Sequence, residues 1–188
     1  MFKALLVLIV LLALAITAFV WSGRYPIGAD APHWDITSRA LEILRDRSIE
    51  EGARGMTVPE LDNAQLIASG AEHYAAMCTA CHLAPGMAES ELRAGLYPQP
   101  PNLSQEGIDS PATAFWVIKH GVKLTAMPAW GRTHDDQSIW GIVAFLKKLP
   151  GMTPEQYQQL TANAGEHHHH HGDENAEGHD APAEHEHP

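Results

Sequence analysis

An all-α fold is predicted by three observations. No stretch of the 188 residues shows convincing period-two alternation, so no strand is expected. Apolar side chains recur instead at three- and four-residue steps in several segments. Capping residues and prolines then mark where those segments start and stop. The chain divides into residues 1–22, an apolar leader; 23–62, a connector; 63–163, one compact domain; and 164–188, a tail rich in histidine and acid.

Ala4 to Val20 is uninterrupted apolar or small, about 17 residues, with Lys3 before it and Trp21, Arg24 and Tyr25 after. That length is close to the minimum for a bilayer span, and aromatic residues suit the membrane interface. The segment reads as a retained membrane anchor; a cleaved signal peptide, cut near Ala18 or Ser22, is the alternative. In the connector, Ile36, Ala40, Leu41, Ile43, Leu44 and Ile49 recur at helical spacing among charged residues. This amphipathic helix either packs on the following domain or lies on the membrane or a partner. His33, just before it, reads as a surface or satisfied residue.

Asp62-Asn63-Ala64-Gln65 has cap character with glutamine at the third helical position, predicting a helix from about Asn63 to Met77. Gly70 and Tyr74 lie four apart on it, and a close helix crossing would need such a small residue. Leu83-Ala84-Pro85-Gly86 is a turn, and Glu89 to Ala94 a short helix. Tyr97 to Leu103, with three prolines, is extended. Ser110-Pro111 starts another helix, Gly121 to Gly131 is a loop, and Thr133-His134-Asp135-Asp136 caps a helix running to about Leu149. Thr153-Pro154-Glu155-Gln156 caps one more.

The formal charge of −11 is uneven: residues 24–165 hold sixteen acidic and eleven basic side chains, and residues 166–188 seven acidic and no basic ones. No basic stripe suggests nucleic acid as a partner.

The chemistry centres on Cys78-Thr79-Ala80-Cys81-His82. Two thiols three positions apart on a helical turn can add to the two vinyl groups of one porphyrin. The adjoining histidine can then place an imidazole nitrogen on the iron. A thioredoxin-like pair would need a βαβ setting and no histidine, and a zinc site would need two more ligands than the two cysteines supply. A Cys78–Cys81 disulfide would close too small a loop to stabilise much. Covalent haem, held by Cys78 and Cys81 with His82 as axial ligand, is the reading. For the sixth position Met127 is the candidate. It lies in a loop 45 residues beyond His82, is followed by a proline, and brings a soft thioether suited to low-spin iron. His120 and His134 are the alternatives. Met77, Met87 and Met152 are badly placed, and any methionine can simply pack in the core. Arg93, Lys119, Lys123 and Arg132 are candidates to edge the haem or pair its propionates.

Gly70…Tyr74, Cys78-x-x-Cys81-His82, Pro101-Asn102-Leu103, Met127-Pro128 and Trp140…Phe145 together resemble a class I c-type cytochrome of the bacterial, monohaem, membrane-anchored kind. The resemblance covers about half the chain. It implies a cytochrome c-like helical domain around one covalently bound haem c, with first and last helices crossing near Gly70 and Phe145. It also implies His82 and Met127 as axial iron ligands, one-electron transfer rather than catalysis, and a single-pass inner-membrane protein with its haem domain in the periplasm. Electrons would pass from a dehydrogenase or respiratory complex to a terminal oxidase or reductase, with lipid the partner of the leader. A haem sensor or peroxidase with a displaceable sixth ligand is one alternative function.

A metal-handling protein is the other, and it rests on the tail. His167, His168, His169, His170, His171, His179, His185 and His187 stand among acidic residues, a composition expected to be disordered and able to bind Cu, Ni or Zn.

Overall fold

The computed structural model describes residues 1–162, and among these every regular element is helical. The helices are α1 (Phe2–Trp21), α2 (Asp35–Ala53), α3 (Ala64–Met77), α4 (Thr79–His82), α5 (Glu91–Ala94), α6 (Leu103–Glu106), α7 (Pro111–His120), α8 (Asp136–Leu146) and α9 (Pro154–Thr161), with a 3-10 turn at Trp130–Arg132 before α8. The disorder and metal binding expected of residues 164–188 fall outside the described residues.

Helix α1 has a mean hydropathy of 2.9 over its best window, is 20 residues long, and buries none of its side chains in the rest of the protein. Its length and composition fit membrane anchoring. Beyond it the chain turns through an aromatic cluster. Phe19 meets Trp34 at 5.7 Å between ring centroids and Trp34 meets Tyr25 at 5.0 Å. His33 is a satisfied residue, as expected: its Nδ1 pairs with Tyr25 Oη at 2.9 Å, and its backbone N–H donates to Tyr97 Oη.

Of the two placements expected for α2, the structure takes the first, but only at one end. The C-terminal turn packs on α7, with Ala53 buried and Gly52 against the Trp116 indole. Ile36, Ile43 and Leu44 stay exposed.

The core lies between α3 and α8. Ala71, Tyr74, Ile139, Ile142, Val143, Ala144, Phe145 and Leu149 are all but fully buried there. Two glycines make this crossing. A Cβ on Gly70 would overlap the Gly141 carbonyl, and one on Gly141 would come within 3.2 Å of the Leu66 carbonyl. Contact at this range is open only to residues without a side chain. One turn further on, Tyr74 and Phe145 meet at 5.3 Å, which places the expected aromatic at the crossing. Helix α7 closes one flank, with Phe115 stacked on Trp140 at 4.1 Å, and α9 closes another.

Three local expectations need correction. The cap of α3 is Asn63, whose side chain accepts from the Gln65 and Leu66 N–H groups, so glutamine sits at the second helical position and no capping box forms. Asp62 is thereby free to reach α8's end, where it pairs with Lys148 at 2.8 Å. That pairing, with Lys147 nearby, holds its carboxyl below the ordinary value. Helix α8 ends at Leu146 rather than Leu149; the last three residues continue as a turn that still buries Leu149. Within the segment read as extended, Leu103 opens the four-residue helix α6, because Asn102 accepts from the Ser104 N–H and starts a new turn.

Replacing Gly70 by alanine should therefore force α3 and α8 apart. Chemical denaturation is expected to show a loss of about 1–3 kcal/mol, the range for an overpacked core position. A change within error of zero would show that the helices can separate at little cost.

Candidate functional site

The site grows from the end of α3. Its final turn runs into Cys78, after which α4 carries Thr79, Ala80, Cys81 and His82 through one further turn. The Cys81 and His82 N–H groups both bond the Cys78 carbonyl, at 3.1 and 2.8 Å, so the five residues are one hydrogen-bonded unit. Both thiols are free and half-buried. Burial, with Cys81 close by, pushes the Cys78 thiol up to about 12, so it is held as the neutral thiol.

Leu83 ends this unit in the left-handed region at φ 60°, with its side chain 4% exposed. A leucine there carries strain of about 1–3 kcal/mol. What holds it is Tyr74: the buried Oη donates to the Leu83 carbonyl at 2.6 Å and lies 3.3 Å from that of His82. Burial pushes this phenol far above its ordinary value, so it remains a donor. The crossing of α3 and α8 is thus tied directly to the turn that carries His82.

His82 Nδ1 lies 3.0 Å from the Pro101 carbonyl. A carbonyl can only accept, so Nδ1 carries the proton and Nε2 keeps its lone pair. This acceptor comes from 19 residues away, while the adjoining turn 83–86 folds back on Tyr74. Burial holds the His82 imidazole below its ordinary value, only partly offset by the Pro101 carbonyl. Neutral imidazole with one nitrogen tied to backbone is the form a metal ligand takes.

The 89–101 segment is fixed by Arg93. Its Nη1 bonds both Glu89 oxygens at 2.6 and 2.7 Å, and Nη2 donates to the Pro100 carbonyl at 2.9 Å. Its Nε is buried without a partner, as is Tyr157 Oη. Sequence reasoning offered four basic residues. Only Arg93 among them is buried, and it lies near enough to His82 to act on its charge. Lys119 is taken up by Asp136 at 2.6 Å. Lys123 and Arg132 are exposed.

Met127 is half-buried against the core, in a loop that is held at several points. Its N–H bonds Thr125 Oγ1 at 3.1 Å and its carbonyl accepts from the Val122 N–H at 3.2 Å. Gly121, at φ 65°, turns the end of α7 so tightly that a Cβ would lie 2.7 Å from the Met127 oxygen. The other ligand candidates lie in other company. His120 is exposed beside Trp116, and His134 is engaged with Thr133, Trp130 and His73. Met87 is 43% exposed in the turn after His82.

The donor set fits a covalently attached iron porphyrin. It offers two free thiols one turn apart, a neutral imidazole with Nε2 open, and a thioether on a constrained loop. The orphaned Arg93 Nε is a buried donor that a propionate would satisfy.

Removing the Tyr74 hydroxyl should leave the Leu83 carbonyl buried and unpaired. For Tyr74→Phe we expect a loss of about 1–2 kcal/mol in denaturant titration, with little change in the visible spectrum at neutral pH. An unchanged midpoint would show that the turn is held by other means.

Residues 65–146 match the model of the family described as cytochrome C oxidase, cbb3-type, subunit III. No curated protein and no solved structure matches the chain.

Proposed function

Because residues 65–146 are a c-type cytochrome domain, an electron carrier with haem c as its cofactor, we propose a membrane-tethered monohaem carrier with His/Met-ligated iron. Residues 63–163 form its redox domain, 1–22 its anchor and 23–62 the link between them. Cys78 and Cys81 would hold the haem covalently, and His82 Nε2 and the Met127 sulfur would be its iron ligands. The observation that carries this reading is the Nδ1–Pro101 hydrogen bond, which leaves Nε2 as the only free ring nitrogen beside two free thiols.

When bound, the haem supplies a one-electron couple between Fe(II) and Fe(III). The chain's own residues do the rest. Pro101 fixes the tautomer and ring orientation of His82. The Thr125 and Val122 bonds keep the Met127 loop from swinging away, so its thioether would stay on the iron and keep substrates from the metal. Arg93, already holding Glu89 and Pro100, has Nε left for a propionate.

The cellular setting follows from α1. With Lys3 ahead of a 20-residue apolar helix, the domain after it lies on the periplasmic side of a bacterial inner membrane. Its donor is a membrane dehydrogenase or respiratory complex and its acceptor a terminal oxidase or reductase. The matched family's description, an oxidase subunit, supports the oxidase.

Met127→Ala tests the assignment. The ferric protein should lose its weak far-red sulfur-to-iron charge-transfer band, and the ferrous protein should bind carbon monoxide readily. The reduction potential should fall, since water or another hard replacement favours Fe(III). If the band survives in Met127→Ala and vanishes in Met87→Ala or Met152→Ala, the ligand lies elsewhere.

A further inference from the structure

We infer that His73 and His134 form a two-imidazole binding site for a divalent cation of the zinc and copper class, separate from the haem site; this rests on the reading that Met127, and not His134, is the second iron ligand. The two residues come from α3 and from the residue before the cap of α8, far apart in sequence, yet their rings lie 5.6 Å apart between centroids at 76°. Imidazoles bonded to one tetrahedral metal at about 2.0–2.1 Å have centroids about 5 Å apart. A small closure brings these two to that spacing.

Their tautomers point the same way. His73 Nδ1 lies 2.8 Å from the Ser69 carbonyl, which can only accept, so Nδ1 carries the proton and Nε2 a lone pair. His134 Nδ1 lies 2.9 Å from Thr133 Oγ1. That hydroxyl directs its own proton to the Trp130 carbonyl at 3.3 Å, so it accepts from Nδ1–H and again leaves Nε2 free. Each histidine thus already has the outer hydrogen bond that metal-bound histidines make. Both rings are half-buried, and the Trp130 indole packs against His134 at 5.6 Å, limiting its rotation.

The chemistry selects the cation. Two neutral imidazoles suit Zn(II), Cu(II) and Ni(II) rather than Mg(II) or Ca(II). Asp135 adds negative charge nearby, but its carboxylate caps α8 by accepting from the Ser138 N–H at 2.8 Å. Among the described residues no three histidine, cysteine or acidic groups are close enough to share a metal. Water or an external ligand therefore fills the remaining positions, and the bound ion should exchange readily.

The test is residue-resolved carbethoxylation of the full-length holoprotein by diethyl pyrocarbonate, read by peptide mass spectrometry with and without zinc chloride. Zinc is raised to a large excess over the eight tail histidines. Modification of His73 and His134 should slow several-fold together, over one zinc range, while His120 keeps its rate. In His73→Ala, His134 should lose its protection, and in His134→Ala, His73 should do so; an unchanged Soret band shows that each variant is folded. Should either variant fail to fold, the joint response of the wild-type pair decides alone. Unchanged reactivity of the pair in zinc, or protection of either histidine when the other is gone, overturns the site.

Discussion

Two helical backbones touch where Gly70 of α3 meets the Gly141 carbonyl of α8, and the functional end of the protein hangs from that contact. Close approach seats Tyr74 against Phe145 in the core. From there the Tyr74 hydroxyl reaches the Leu83 carbonyl and holds a leucine in a left-handed conformation it would not adopt alone. That turn releases the chain from α4 at the right place for His82 to meet Pro101. Packing energy from a largely apolar core is thus converted, through the one buried hydroxyl of Tyr74, into the orientation of an imidazole.

The two ligand residues of the proposed carrier are held by different means. On the histidine side the constraint is a rigid turn of helix plus a long-range bond to backbone. Arg93 supports it by tying Glu89 to Pro100 from a buried position. On the methionine side a loop is pinned by its own backbone and by the glycine that ends α7. The thioether is soft and flexible, so its placement depends on the loop's stiffness rather than on packing around the side chain.

Much of this was legible in the sequence because it depends on local chemistry. Asp135 and the Thr153-Pro154-Glu155-Gln156 box mark helix starts through bonds made within three residues, and Pro111 marks another through its fixed backbone angle at the first helical position. The need for a small residue at Gly70 was also readable, whereas Gly141 as its partner was not, since only the tertiary crossing joins them. The same limit hid the Pro101 acceptor: a 19-residue gap containing prolines carries no periodic signal of where it returns. Helix α6 escaped for another reason. Four residues are too few for periodicity, and Asn102 acts as a cap only because the preceding prolines stop there. The selection of Arg93 over the three other basic candidates required burial, which composition does not give.

The central claim is that one thioether, from Met127, faces the imidazole of His82 across the iron. Proton NMR of the reduced holoprotein, with methyl-labelled methionine and a Met127→Leu control, tests it most directly. The methyl group of a methionine whose sulfur binds the iron lies over the porphyrin face, so its resonance is driven far upfield by the ring current. The account predicts one such methyl in the wild type and none in the control. An upfield methyl that persists in Met127→Leu, or its absence from the wild type, would contradict it.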